Sequence, residues 1–330
     1  MHGIREILQI ACSWLTFDVV WKVSIIVLLL LNLKNVPFVY HLRILNGVRF
    51  LLRSQRPPIA VQPEHLFQPL ITSSKVCLME IDVFGHKSNS TYFADIDVAR
   101  VHLVTTLFGK GIEQIRGGTT MNGLSGKPRS KFTLALGAVS CTFKQELLPY
   151  ETYDMWTRII SWDEKWVYIV THFVKRSSKI SPRISSLYPD QSAQDSCTEE
   201  PHAGDATKDT STSNVPVRSP VAASALSKVV FKDGRITIRP REMIEASGLL
   251  PKQEFSHAGS TGKFDARVET EVEERRQRGL RLSALLSGQV ELEEEFNGKV
   301  ALGRHYDGIG AEGVMATLAQ LTKLSKFQLV

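Results

Sequence analysis

The sequence predicts an α+β fold. One antiparallel sheet wraps a long central helix, with an N-terminal membrane helix before it and a C-terminal helical extension after it. Three observations lead there. A helical pattern from about Ser90 to Phe108 is apolar on much of its circumference, through Phe93, Ile96, Val101, Val104, Leu107 and Phe108. Such a helix expects other structure around it. Strand-like segments then follow in close succession, and a sheet curled around the helix is the economical way to bury it. Finally, Leu15–Leu33 reads LTFDVVWKVSIIVLLLLNL, nearly the length that a bilayer core requires.

A chain of 330 residues suits one well-filled core plus additional segments. The net charge of +6 is mild, and much of it follows the apolar N-terminus instead of forming a stripe, which argues against a nucleic-acid partner. The cysteines at 12, 77, 141 and 197 form no CxxC pair and no zinc-ligand spacing, so neither metal nor cofactor is expected. Cys77 and Cys141 lie in apolar strand-like stretches and read as small buried hydrophobes in a reducing compartment.

The N-terminal region, residues 1–56, reads as a membrane anchor followed by a basic amphipathic helix. Asp18 and Lys22 interrupt the first half of the apolar run but are spaced to pair on a helix face. A signal peptide would want a small-residue cleavage site, which the following LKNVPFVYHLR does not offer. A soluble or surface-lying helix is the other alternative. From Lys34 to Arg56 there are basic residues and no acidic ones. On a helix, Ile44, Leu45, Val48, Leu51 and Leu52 gather on one side, while Arg43, Arg49 and Arg53 fall on the other. That composition suits a helix facing anionic lipid; its bland counterpart is a solvated helix face. A spanning segment would place its basic side, and everything after it, in the cytosol, with the endoplasmic reticulum as a candidate membrane.

Residues 57–250 form the expected central domain. Pro57, Pro58 and Pro63 give a stiff entry. A strand pattern occupies Phe67–Ile81, then comes the central helix, with Asn89 or Ser90 as its N-cap. The Gly-rich run Gly117–Gly126 lacks the spacing of a nucleotide loop. Phe132–Leu136 and Val139–Phe143 alternate as a strand with a bulge at Gly137. Tyr153–Trp162 and Lys165–Lys175 read as a hairpin. Residues 176–220 are rich in Ser, Thr, Asp, Pro and Gln and read as a disordered insertion. Ala222–Phe231 and Arg235–Arg239 follow as strand, broken at Lys232-Asp233-Gly234, and Pro240–Ser247 is a short helix. Residues 251–330 are a polar extension with a helix at Arg267–Leu286.

The informative stretch is Asp82-Val-Phe-Gly85-His86-Lys-Ser-Asn89-Ser-Thr-Tyr92-Phe-Ala-Asp-Ile-Asp97-Val-Ala-Arg100. An acid ends a strand, a Gly-His turn follows, and an Asn opens the buried helix. This sets a carboxylate beside helix N-terminal amides, a natural site for developing negative charge. The bland readings are specific too. Asp82 is in position to cap the turn, His86 to satisfy loop carbonyls, and Asp97 to form an i,i+3 ion pair with Arg100.

These residues resemble the motif of hotdog-fold thioesterases of the 4-hydroxybenzoyl-CoA thioesterase type, close to thioesterase superfamily member 6 and to fungal thioesterase-like proteins. That family's pattern is an Asp, then Gly-His, one or two Asn, an aromatic, and acid-x-Ala-Arg on the helix. Asp82, Gly85, His86, Asn89, Tyr92, Asp97, Ala99 and Arg100 match it in order, and KQELLPYETYDMWTRIISWD extends the resemblance. It covers about Phe67–Pro251 without the insertion.

The resemblance implies a single hotdog that hydrolyses an acyl-CoA or carrier-bound acyl thioester. A thioester carbonyl at the helix start would be polarised by backbone amides near Asn89 and attacked by Asp82, or by a water that Asp82 deprotonates. Asp82, His86 and Asn89 are the expected catalytic residues; Gly85, Tyr92 and Asp97 are the expected substrate-binding ones. Hydratase-type hotdogs space their Asp and His five apart with Asn-Pro between, which this sequence does not do. A non-catalytic membrane-associated hotdog that binds lipid or acyl ligands is the alternative. Both arms of the Tyr153–Lys175 hairpin carry apolar residues on both faces, so a second copy is expected to cover the outer one, giving a homodimer.

Overall fold

The computed structural model describes residues 17–48, 57–116, 131–176, 185–189, 219–251, 266–284, 286, 314, 315 and 318. Residues 1–286 cluster as one compact unit holding every helix and strand named here, and residues 287–330 as a second. In chain order the elements are α1 (Phe17–Leu31), α2 (Val39–Val48), β1 (Leu70–Lys75), α3 (Thr91–Arg116), β2 (Phe132–Phe143), β3 (Thr152–Trp162), β4 (Val167–Lys175), β5 (Val221–Asp233), β6 (Ile236–Ile238), α4 (Pro240–Ala246) and α5 (Ala266–Ser283).

The sheet is antiparallel, in the order β1-β3-β4-β5-β2, with β6 paired to β5. It wraps α3, which buries Tyr92, Ile96, Ala99, Leu103, Val104, Leu107, Phe108 and Ile112. Each such large side chain is worth about 1.5–3 kcal/mol of burial. The core has two parts. Leu103, Leu107, Phe108 and Ile112 meet Ile159, Trp162, Val167, Ile169, Val229 and Phe231 along the C-terminal half of α3. Around its start, Tyr92, Ile96 and Ala99 meet Tyr153, Met155, Phe173, Ala223 and Ala225. The alanines of β5 leave room for aromatic rings: Phe173 lies 4.8 Å from Tyr92 and 5.6 Å from Tyr153, centroid to centroid.

The expected bulge is present. The register of β2 on β5 shifts between Leu136 and Ala138. A Cβ on Gly137 would run into the Trp166 ring, so the close approach excludes a side chain there. The Phe67–Ile81 strand pattern yields only β1. A turn of 3-10 helix, Leu78–Glu80, follows because the Glu80 carboxylate accepts the Cys77 N–H at 2.9 Å and closes the turn. Helix α5 docks on the end of β3. Val272 is buried in the core, Ser161 Oγ donates to the Arg276 carbonyl at 2.7 Å, and Gly279 lies against the Ile160 carbonyl.

The N-terminal helices differ from expectation. Among the described residues, no helix is long and apolar enough to cross a membrane. Among the described residues, helix α1 runs for 15 residues, which is about 22 Å at 1.5 Å per residue, against a bilayer core of about 30 Å. It stops at Leu31 because Asn32 turns back on it. The Asn32 side chain donates to the Leu28 carbonyl at 2.8 Å and accepts the Met79 N–H at 2.7 Å. Helix α2 is turned the other way from the sequence reading. Arg43 points inward to a buried acid, while Leu42 and Leu45 are exposed. A buried carboxylate demands a cation more strongly than a leucine demands cover. Arg49 and Arg53 lie outside the described residues, as do the Gly-rich run 117–126 and most of 176–220. Within that last segment Leu187 is buried, and Ser186 Oγ donates to Gln68 Oε1 at 2.7 Å.

Candidate active site

Ile81 and Lys87 pair as an isolated antiparallel bridge, and the five residues between them turn tightly. The Asp82 N–H donates to the His86 carbonyl at 3.0 Å, and the Gly85 N–H to the Asp82 carbonyl at 3.1 Å. Gly85 has a φ of +83° and open space where a Cβ would lie, so backbone conformation, not crowding, calls for glycine. The Asp82 carboxylate is shared between two tasks. Oδ1 accepts the Phe84 N–H at 2.9 Å, the capping role. Oδ2 lies 3.3 Å from His86 Nδ1. Both side chains are about a quarter exposed, at 25% and 24%. Val83 and Phe84 project from the tip, 94% and 80% exposed, and the Phe84 ring stacks 6.0 Å from that of His86.

The next turn opens α3. The Thr91 N–H and hydroxyl both donate to the Ser88 carbonyl, at 3.0 and 2.7 Å, and Asn89 is exposed between them. Asp82, Gly85, His86 and Asn89 therefore share one short segment at the positive end of a 26-residue helix. Tyr92 does not open onto that segment. It is 2% exposed, with its ring against Phe143 at 5.0 Å and the Lys87 ammonium 5.2 Å from its centroid. Burial pushes its phenol well above the ordinary range. Asp97 forms the intrahelical pair with Arg100 and accepts the Tyr40 hydroxyl of α2 at 3.2 Å. Among the described residues, no contact joins it to Asp82 or His86.

A second constellation escaped the sequence reading. Asp95 is fully buried on α3, at 0% exposure. It accepts Lys34 Nζ at 2.9 Å, Lys87 Nζ at 3.1 Å, Arg43 Nη2 at 2.8 Å and the Tyr153 hydroxyl. Glu80, 3% exposed, accepts Lys87 Nζ at 2.8 Å and Lys34 Nζ at 2.9 Å. Burial pushes the Asp95 carboxyl up, but Lys34, Lys87 and Arg43 outweigh it and hold the group well below the usual carboxylate range. Burial and the neighbouring Asp95 push the Tyr153 phenol up. The available signal was an acid spaced i+3 from Tyr92 and i−4 from Ala99 on a buried helix face. Among the described residues, no group of three or more His, Cys, Asp or Glu is placed to hold a metal.

Comparison with known proteins adds to this geometry. Residues 76–201 match the family described as the thioesterase-like superfamily. The chain is 34% identical over 281 residues to thioesterase poxG of Penicillium oxalicum, covering 84% of this chain and 86% of that protein. It is 32% identical over 321 residues to the probable thioesterase atnL of Emericella nidulans, covering 92% and 98%. Protein THEM6 of Danio rerio is 31% identical over 108 residues, covering 32% of this chain and 46% of that one.

Proposed function

This chain belongs to the thioesterase-like superfamily and is a thioesterase, and on that premise we propose that Asp82 is the carboxylate that cleaves the thioester of an acyl-CoA or acyl-carrier substrate. One observation carries the assignment. Asp82 is a carboxylate about a quarter exposed and held at both oxygens on the turn that leads into α3. The acyl carbonyl would lie at the head of α3, its oxygen facing the helix amides beside Asn89, which favour the negative charge that develops there. Asp82 attacks the carbonyl carbon, or takes a proton from a water that does. The carbon–sulfur bond breaks and the thiolate leaves. A carboxylic acid is released directly on the water route, or after water opens the mixed anhydride. His86 holds Oδ2 toward the substrate. Gly85 permits the turn, and Tyr92, buried with the Lys87 ammonium over its ring, packs the start of α3. Asp97 is occupied by Arg100 and Tyr40 and stays outside the site. Turnover of a panel of acyl-CoAs by the full-length protein tests the reading, and a folded protein that hydrolyses none of them counts against it.

The same proposal includes membrane association. Trp21, Leu28 and Leu30 of α1 and Leu42 and Leu45 of α2 are exposed by 50–65%. That apolar surface suits a helix pair lying in a lipid interface, with the domain on the cytosolic side, the endoplasmic reticulum being the first membrane to examine. Full-length protein is expected to float with phosphatidylcholine–phosphatidylserine vesicles, and Trp21→Ser/Leu28→Ser/Leu30→Ser to reduce flotation. Wild-type protein left at the bottom of the gradient would remove the membrane from the proposal.

A homodimer is the third part. Ile71, Trp156, Val170 and Leu226 share the outer face of the sheet, away from α3, and are half-buried apolar groups on a face that water would otherwise wet. Light scattering is expected to give twice the 36.9 kDa chain mass at micromolar concentration. A fully active monomer would rule it out.

A further inference from the structure

Lys87 and Glu80 stand at the neck of the Asp82 turn, one on each side of it. The Ser88 N–H donates to the Glu80 carbonyl at 2.7 Å, and Lys87 Nζ bridges the Glu80 and Asp95 carboxylates at 2.8 and 3.1 Å. Glu80 precedes the turn, and Asp95 lies one helical turn inside α3. The bridge thereby fixes how far Asp82 stands from the head of the helix. It is incomplete without the N-terminal segment. Lys34, on the turn between α1 and α2, bridges the same two carboxylates at 2.9 Å each, and its side chain is 11% exposed. It also reaches the Tyr153 hydroxyl at 3.1 Å. Arg43 closes the far side of Asp95. Two buried carboxylates thus face three cations, of which two come from the N-terminal segment.

We propose that Lys34 is a positioning residue for the hydrolytic site: through Glu80 and Asp95 it sets the Asp82 turn against the head of α3, so that the N-terminal helix pair completes the catalytic domain as well as covering it. The proposal rests on the reading that Asp82 acts on the substrate. A pair of long cations spanning the same two carboxylates resists both widening and shearing of the neck, which one cation cannot do. Misplacement of the reacting carboxylate by a fraction of an ångström affects the transition state more than the ground state, so the effect belongs in kcat.

The test compares full-length wild type with Lys34→Met and Lys34→Arg. Lys34→Met is expected to lower kcat toward acyl-CoA by about 100-fold with KM little changed, and Lys34→Arg to restore most of it. Hydrogen exchange gives a readout that does not depend on turnover. Amides of residues 80–92 are expected to exchange faster in Lys34→Met, while those of the β3–β4 hairpin keep their protection. Unchanged exchange at 80–92, or an unchanged kcat in the folded variant, overturns the positioning role. Loss of protection throughout the sheet also overturns it, because it reduces Lys34 to a general stabiliser. A failure of the Asp82 assignment is distinguishable: Asp82→Asn would then turn over normally whatever Lys34→Met does.

Discussion

Asp82→Asn is expected to lower kcat for thioester hydrolysis by about 100-fold or more while leaving the thermal midpoint near that of the wild type. The substitution is nearly isosteric. Its carbonyl oxygen still accepts the Phe84 N–H, and its amide group still reaches His86 Nδ1, so both holds on the turn survive. What is lost is the negative charge, and with it both the nucleophile and the base. This separates the two readings of the residue. If Asp82 only caps the turn, asparagine serves as well and activity stays. If the carboxylate takes part in the chemistry, a folded protein stops turning over. Full activity in a folded Asp82→Asn protein would transfer the chemistry to another group. The Ala variant is less informative, because it removes cap and charge together.

The elements that the sequence discloses are those set by near neighbours. The circumference of α3, the β3–β4 hairpin, the Gly137 bulge and the break between β5 and β6 all rest on periodicity or turn chemistry within a dozen residues. Asp97 and Arg100 are similarly legible, because an i,i+3 pair needs nothing else. The turn containing Asp82, Gly85, His86 and Asn89 could be read as a unit because one short segment carries it. Which way Lys34 and Arg43 face is not legible, for the opposite reason. Arg43 meets an acid 52 positions away, and Lys34 one 61 positions away. Nothing local distinguishes an arginine that faces lipid headgroups from one that faces Asp95. The composition of Lys34–Arg56 is the same in both cases, and only the fold decides which negative charge it meets.

Deleting residues 1–56 follows from that cluster as the most damaging change to stability. The deletion removes Lys34 and Arg43 and leaves Lys87 as the one cation of the cluster facing both Glu80 and Asp95. Removing a partner from a buried ion pair costs about 3–5 kcal/mol, because it leaves buried charge uncompensated, here two carboxylates against one ammonium. The truncated chain is therefore expected to denature at much lower urea than the full-length protein in the same detergent at pH 7. The pH dependence has a definite sign. Asp95 is held below the usual carboxylate range in the folded protein, against about 3.9 when unfolded. Its stabilisation is fully present above the unfolded value and is lost as pH falls toward the folded one. The gap between full-length and truncated chains should accordingly be widest near neutrality and shrink in acid. Asp95→Asn supplies the internal check. In the full-length protein it leaves Lys34, Lys87 and Arg43 without their shared acid and destabilises. In the truncated chain it removes the charge that the deletion stranded, and is expected to recover part of the loss. If the truncated chain unfolds at the same urea concentration as the full-length protein, or Asp95→Asn costs both equally, the N-terminal helices are an appendage and the buried cluster does not bind them to the fold.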